Sequence, residues 1–342
     1  MPTHSASHAL PRCFAALLGT VCLAASVATA AQPFSIELGV AYDRSETSAS
    51  TAILNPDVQV LGADQISVFR SDTETDSTNF FARWFYDGAS AATGPRSRAG
   101  FVSRASSVSL SFSDSEGTVW VETPPPLFSP VPIESSREVA ARNDGTVVSL
   151  DVRHVFERSG WYLLGSASIA DTDVVQPGLS GGTFETNAET SRFIAGAGKY
   201  LGKTSSLDLA VLHVESELQL FDQSFDDSLT EYVLSFTHIA GLNADWQYGL
   251  DLAVSTVERF GEEGQVSARF SLFPSRSLAL GIDIDAPIES AFDDNTRYGV
   301  FLSWFATRNF ELFARADTIE LDAPPNSNAD GDGYGLGVRA RF

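Results

Sequence analysis

The last ten residues of the chain show the pattern that most limits its fold. Side chains at positions 334, 336, 338, 340 and 342 are apolar, whereas the alternate positions hold glycine or arginine. Strict alternation places successive side chains on opposite faces of a β-strand. The pattern therefore predicts a strand with one apolar face and one small or cationic face. A soluble strand buried on one side has the same period, so this stretch alone does not show what covers the apolar face.

The same alternation recurs along the chain and predicts about fourteen strands. Its clearest example starts at Trp246 and ends at Val254, where large apolar residues alternate with small or polar ones. Short connections, such as Ser159-Gly160, alternate with longer ones rich in Asp, Asn and Pro. This arrangement is typical of an all-β, transmembrane, antiparallel up-and-down β-barrel. We predict long loops at about 45–77 and 113–144, and a hairpin hidden in either would raise the number of strands to sixteen.

The first thirty residues have the composition of a cleaved signal peptide. Arg12 provides a positive charge, residues 14–27 carry no charge, and Ala28-Thr29-Ala30 matches a small-residue cleavage site. We therefore predict a signal peptide at 1–30 and a barrel at 31–342.

Both cysteines, Cys13 and Cys22, lie within this predicted signal peptide. The mature chain is therefore expected to have neither disulfides nor thiolate chemistry. A lipoprotein with Cys22 as its lipidated residue is an alternative, although Val21 stands where a small residue is expected. No later segment has 18 uninterrupted apolar residues, so no membrane-spanning helix is predicted. An exported chain that crosses a bilayer without helices must form a closed barrel.

The chain is acidic, with a formal net charge of −22 and a pI of about 4.4. This charge argues against nucleic-acid binding, which needs a basic surface. It does not exclude a membrane, because only the lipid-facing band of a barrel must be apolar. A soluble β-sandwich or secreted barrel is the alternative. The membrane barrel is favoured by Tyr and Trp near strand ends and by a polar inward face on nearly every strand, since a small soluble barrel fills its interior with apolar side chains.

Two stretches resemble a porin family of Gram-negative outer-membrane β-barrels. The amphipathic last strand, ending in Phe342, resembles the closing strand of such barrels, in which the terminal aromatic residue is the assembly signal. Residues 94–108 read GPRSRAGFVSRASSV and resemble a Gly-Pro turn followed by an A-x-F-x-x-R-A-S-S stretch that recurs in this family. The resemblance implies location in the bacterial outer membrane, contact with lipid and the barrel-assembly machinery and, as for general porins, a homotrimer.

If the apolar face contacts lipid, the charged residues opposite it line a lumen too wide for side chains to fill. Mixed rows of charge are typical of a water-filled channel for passive diffusion of small hydrophilic solutes or ions. Acids outnumber bases eleven to seven in this set, which favours a weak cation preference. The predicted pore-lining residues are Glu37, Asp43, Arg83, Asp151, Arg153, Asp208, Glu231, Asp245, Asp251, Arg269, Asp283, Asp285, Arg297, Glu311, Arg315, Asp317, Arg339 and Arg341.

The alternative function is a structural or surface-interaction barrel whose lumen is plugged by loops and conducts little. The proline-rich 113–144 segment is the first candidate for a loop that folds inward, and 45–77 is the second. Both functions need the same wall, so the sequence does not separate them.

An enzyme is not predicted. After the signal peptide the only histidines are His154, His213 and His238, and alternation points all three outward. Residues 326–332 faintly resemble a calcium loop, but Gly337 stands where the bidentate Glu is expected. We therefore predict no catalytic site, no cofactor and no bound metal.

Overall fold

A computed structural model describes residues 33–60, 63–90, 94–123, 136–177, 183–220, 223–242, 246–257, 264–288, 294–322 and 327–342. These residues form a closed antiparallel barrel of fourteen strands, in which each strand pairs with its neighbours in sequence and the first pairs with the last. The strands are β1 (Phe34–Val60), β2 (Ala63–Ala89), β3 (Ser107–Thr123), β4 (Ser136–Val155), β5 (Trp161–Pro177), β6 (Thr183–Leu201), β7 (Ser205–Leu220), β8 (Gln223–Gly241), β9 (Gln247–Val257), β10 (Gly264–Ser275), β11 (Leu278–Pro287), β12 (Asp294–Phe305), β13 (Phe310–Asp322) and β14 (Ser327–Arg341).

The only regular helical structure in the described ranges lies between β2 and β3. It consists of a 3₁₀ turn at Arg96–Arg98 and the α-helix α1 at Ala99–Val102. None of the helices within these ranges is long and apolar enough to cross a bilayer.

The barrel closes where β14 pairs with β1. Glu37 lies opposite Arg341, and Val40 lies opposite Val338. The terminal residue continues the pairing, because Phe342 N donates to Ile36 O at 2.9 Å and Ser35 N donates to Phe342 O at 2.7 Å. Closure leaves no sheet edge among the described strands, which is the condition for placing a β-sheet in lipid.

The outer face carries the predicted apolar belt. In β7, Leu207, Leu209 and Val211 are exposed on the outside, while Asp208 between them points to the interior. Exposed tryptophans lie near the short connections, at positions 84, 161, 246 and 304. Exposed tyrosines at 232, 298 and 334 lie on the outer face toward the opposite end of the strands. Such aromatic girdles flank the lipid-facing band of transmembrane barrels.

The predicted alternation of short and longer connections is confirmed only in part. Five hairpin connections, from β4–β5 to β12–β13 in alternation, span five residues or fewer. Both chain termini of the barrel lie at this end, which we call the short-turn end. We call the opposite end the long-strand end. At this end, away from the chain termini, the β1–β2, β5–β6, β7–β8 and β13–β14 connections also span five residues or fewer between the strand bounds.

The predicted loop at 45–77 is wrong. β1 and β2 form one long hairpin, with a continuous register from Asp43 opposite Ser77 to Asn55 opposite Gln65. The loop predicted at 113–144 is also strand at both of its ends, and its centre, 124–135, lies outside the described residues. Both stretches extend existing strands and add none, so fourteen strands are confirmed rather than sixteen. Beyond the lipid belt both faces of a strand meet water, and the apolar alternation is therefore lost.

The wall of the barrel is uneven in height. The strands β1 to β8 contain 16 to 27 residues, whereas β9 to β14 contain 10 to 15. A strand needs only about 9–11 residues to cross a bilayer. One side of the barrel therefore rises well beyond the belt.

The signal peptide predicted at 1–30 lies outside the described residues and stays a prediction.

Substitution within the belt should destabilise the barrel. We expect Leu209→Arg, at a side chain that is 56% exposed on the outer face, to lower the free energy of unfolding in lipid bilayers by about 2–4 kcal/mol. The cause is transfer of a guanidinium from water into hydrocarbon. Ser228→Arg, on the outer face of the rising wall, is the matched control and should change stability by less than about 0.5 kcal/mol. Equal effects of both substitutions, measured by reversible urea unfolding, would contradict the placement of the belt.

Candidate functional site

A segment of thirteen residues crosses the opening at the short-turn end. It comprises residues 94–106, and we call it the mouth segment. Its 3₁₀ turn and α1 connect β2 to β3 without continuing either strand. The sequence pattern predicts a strand at Phe101–Phe112 instead, and its first part is wrong, because β3 begins only at Ser107.

Backbone and arginine contacts tie the mouth segment to hairpin turns around the opening. Arg96 N donates to Arg276 O in the β10–β11 turn at 3.0 Å. Arg96 Nη1 approaches Thr307 O in the β12–β13 turn at 3.4 Å. On another side, the Arg104 guanidinium donates to Gly202 O in the β6–β7 turn. The segment therefore spans the opening rather than lying along one wall.

Two apolar clusters anchor the mouth segment to the wall, one at Phe101 in α1 and the other at Ala105 after it. Ala105 packs with Phe85 and Ala89 of β2. Phe101 packs against Tyr200 of β6, with their ring centroids 5.5 Å apart. The described clusters of buried apolar residues thus lie where side chains of the mouth segment pack against the inner wall of the barrel.

Arg104 adopts a backbone conformation that is unusual for its residue type. Its φ is +52°, the left-handed region in which glycine commonly ends a helix. A non-glycine residue there costs on the order of 1–3 kcal/mol. The guanidinium offsets this cost, because it reaches Gly202 O and lies over the Tyr200 ring at 4.8 Å. We attribute the presence of arginine at this position to these contacts.

A buried ion network lies directly beside the mouth segment. The Arg341 side chain is only 3% exposed, and its Nε donates to the Glu37 carboxylate at 2.8 Å. Its Nη1 donates to Arg96 O at 2.7 Å, and its Nη2 lies 3.7 Å from Glu311. One guanidinium therefore joins β14, β1, β13 and the mouth segment.

A second network lies further into the lumen. The buried Asp283 carboxylate has Arg297 at 3.2 Å, Arg315 at 3.3 Å and Arg269 at 3.9 Å. From the mouth segment, Arg98 makes an ion pair with Asp251 of β9. The half of the wall from β9 to β2 is therefore lined by linked charges.

The opposite half of the wall carries tyrosines among its charges. Arg153 lies over the Tyr162 ring at 4.2 Å and donates to the Tyr200 hydroxyl at 3.0 Å. Tyr162 donates to Asp208 at 2.8 Å. Ser166 donates to Asp151 at 2.7 Å.

The predicted pore-lining residues lie on one face of the sheet. All of them except Asp245, which lies outside the described residues, occupy positions opposite the exposed apolar side chains. The structure joins most of those on β9 to β2 into the two networks. Glu231 lies apart from them, on the part of β8 nearer the long-strand end.

Several interior aromatic residues are missed by the prediction, which considered only charged ones. The rings of Phe81 and Phe313 lie beneath the Arg339 guanidinium at 5.2 and 5.7 Å, and Phe301 lies beneath Arg269 at 5.2 Å. The Phe313 ring covers Gly337 so closely that a Cβ there would be 2.1 Å from it. Each ring is an even number of residues from a charged residue on its strand, so both lie on the same face. That spacing would have predicted the rings as interior residues.

Cavities lie on both sides of the mouth segment. One of about 590 Å³ lies in the lumen beside Ser97 and Arg98, and another of about 430 Å³ lies toward β3 to β6. A third, of about 500 Å³, lies at the opening between Phe101 and the turn at Lys203. Phe101 lines both the second and the third cavity. This ring is therefore the boundary between luminal space and the opening.

The two ends of the barrel carry opposite charge. Described basic residues at the short-turn end are Arg96, Arg98, Arg104, Arg158, Lys203, Arg276 and Arg308. Partial burial, followed by the nearby Arg276, Arg308 and Arg341, lowers the pKa of Arg96 from its ordinary value. The long-strand end is acidic, with Glu189, Glu215, Glu217, Asp226 and Asp227 around one depression on the β6–β8 wall.

The three described histidines make contacts on the outer face. His154 Nδ1 is 2.8 Å from the Tyr86 hydroxyl, and His238 Nδ1 is 2.8 Å from the Ser205 hydroxyl. His213 contacts Thr230 at 3.1 Å. In the described part of the chain no group of three or more His, Cys, Asp or Glu side chains is arranged to hold a metal ion.

No family model matches the chain, and no curated protein matches it. Among solved structures, a mutant of the TodX monoaromatic hydrocarbon channel matches with a TM-score of 0.57 and 8% identity, over 91% of each chain. The fold is that of a bacterial outer-membrane β-barrel. Omp33 of Acinetobacter baumannii aligns over 92% of this chain and all of its own, at 13% identity and a TM-score of 0.48. The closed barrel and its apolar exterior agree with the predicted location in the outer membrane.

Removal of Arg341 should leave buried carboxylates without their main partner. We expect Arg341→Met to lower the free energy of unfolding by about 3–5 kcal/mol, the usual effect of breaking a buried ion pair. Arg192→Met, at an exposed arginine of β6, is the matched control and should change stability by less than about 0.5 kcal/mol. Urea unfolding of the refolded barrel measures both values. A loss below 1 kcal/mol for Arg341→Met would show that the network contributes little.

Proposed function

We propose that this barrel is an outer-membrane channel for passive diffusion of small hydrophilic solutes or ions. The observation that carries the proposal is the lumen itself, whose charged wall encloses cavities on both sides of the mouth segment. A charged wall holds water and lets polar solutes exchange their hydration for contacts with it. Short turns face the periplasm in such barrels, so the mouth segment stands at the periplasmic opening.

We place the constriction of this channel at the mouth segment. The stretch predicted as a loop at 45–77 is strand, and the centre of the one predicted at 113–144 lies outside the described residues. Phe101 borders the cavities on either side, so the free space beside its ring sets the width of the path. The anchors of the segment, among them the Arg98–Asp251 ion pair, hold it across the opening.

The proposed channel retains a weak preference for cations. The carboxylates of the long-strand end favour this, including those on the outer side of the β6–β8 wall, since fixed negative charge raises the concentration of cations near the external mouth. Several of the acids deeper in the lumen are buried in ion pairs, so their influence on passing ions is smaller than their number suggests.

The plugged, structural barrel is the second candidate. The observation that favours it is the number of contacts between the mouth segment and the wall, from β14 through the β10–β11 and β12–β13 turns to β6. A segment held this firmly blocks ions if the remaining gaps are narrower than hydrated ions.

Conductance in planar bilayers tests the proposal. We expect the refolded protein to give stable current steps, with a reversal potential under a salt gradient that indicates weak cation selectivity. We expect Phe101→Ala to raise the conductance of each step, because the ring separates two cavities. Phe112→Ala, which removes a phenylalanine ring from the lipid-facing outer side, should leave the conductance unchanged.

Silence of the folded wild-type protein would contradict the open channel. If Phe101→Ala then conducts, the barrel is a closed one with the mouth segment as its plug. If neither conducts, passive diffusion through this opening is excluded.

A further inference from the structure

One cavity within the lumen is lined by more arginine than carboxylate side chains. This cavity of about 590 Å³ lies beside Arg98 of the mouth segment. Arginines from four strands also line it, namely Arg83, Arg269, Arg315 and Arg339.

Three carboxylates line the same cavity, and two of them are largely withdrawn from its space. The third, Asp43, is half-buried and accepts a hydrogen bond from Asn79 Nδ2 at 3.0 Å. The side chains of Asp283 and Glu311 are 5% and 4% exposed, and both are held by arginines. Asp283 has three guanidinium groups within 4 Å, and Glu311 has Arg339 at 3.2 Å. These acids orient the arginines more than they present negative charge to a passing solute.

Two arginines keep much of their hydrogen-bonding capacity. Arg83 and Arg269 are 42% and 43% exposed, and their ion-pair contacts, 3.7 Å to Glu37 and 3.9 Å to Asp283, are too long for hydrogen bonds. A guanidinium has five N–H donors in a planar fork that matches a carboxylate.

The positions of these two arginines suit a ligand with two charges. Arg83 is on β2 and Arg269 is on β10, six strands apart around the closed barrel by the shorter route through β14. They therefore approach the same cavity from facing walls, with Arg98 beside it from the mouth segment. Phe301 beneath Arg269, at 5.2 Å, supports that guanidinium.

We propose that this cavity binds a small organic dianion, with one carboxylate on Arg83 and the other on Arg269. Arg98 adds a third cation close to the bound ligand. The inference rests on the proposed channel function and gives it a solute class. It is compatible with a weak overall cation preference, because that preference arises at the acidic external mouth and binding occurs deeper in the lumen.

Calorimetric titration of the refolded protein in detergent with succinate tests the site. We expect saturable binding that weakens as salt screens the charges. We expect Arg83→Gln and Arg269→Gln each to weaken binding about tenfold, as loss of a charged hydrogen-bonding partner does. Arg192→Gln, an exposed arginine outside the cavity, should bind succinate as the wild-type protein does. Arg83→Lys keeps the charge but loses the fork, and should fall between wild type and Arg83→Gln.

Two comparisons make the result specific. Titration with 1,4-diaminobutane and with glycerol should show no saturable binding, and binding of either as tight as succinate overturns the proposal. Equal weakening in Arg192→Gln also overturns it, since the effect is then one of general charge. The electrophoretic shift of the folded barrel on heating verifies that each variant is folded.

The site and the channel fail in different ways. Current steps without succinate binding overturn the dianion site and leave the channel intact. Succinate binding without current steps supports the site and overturns passive conduction. In a conducting barrel we expect succinate to cause brief current blocks that become shorter in Arg269→Gln.

Discussion

The structure depends on the requirement that every backbone donor and acceptor in lipid be paired within the sheet. That requirement forces β1 to meet β14, and the register of this last pairing sets Glu37 opposite Arg341. The ion network at the short-turn end is thus a product of closure, since its members come from the two ends of the chain. Because Arg341 also donates to Arg96 O, the seam of the barrel and the mouth segment share one guanidinium.

The mouth segment shows how a barrel too wide for its own side chains fills one end. A turn and a short helix suffice, because apolar contacts at Phe101 and Ala105 secure its two sides. Arginines then reach the turns of distant hairpins, where carbonyl groups have no strand partner. The left-handed backbone of Arg104 indicates that these contacts outweigh a local conformational cost.

The sequence predicts the parts of this fold that lipid imposes, and little else. Alternation in the belt, as from Trp246 to Val254, predicts strands, faces and the inward position of Asp251, because a strand in lipid has one wet face. It fails at residues 45–60 and 63–77, which pair as strands although their sequence is largely polar and irregular. It also fails at Arg98, whose partner Asp251 is far away along the chain and adjacent only after closure. The interior phenylalanines could have been predicted from the same alternation, since Phe81 lies on the same face of its strand as Arg83.

The unequal strand lengths make the wall around the long-strand end higher on one side than on the other. Because β1 to β8 are long and β9 to β14 are short, the described strands end at different heights around the barrel. The wall formed by β9 to β14 is therefore low, and the wall formed by β1 to β8 is high. The acidic depression on β6 to β8 lies on the outer side of the high wall. In the proposed channel, this difference in height between the described strands would make the lumen easier to reach from the side of β9 to β14 than from the side of β1 to β8.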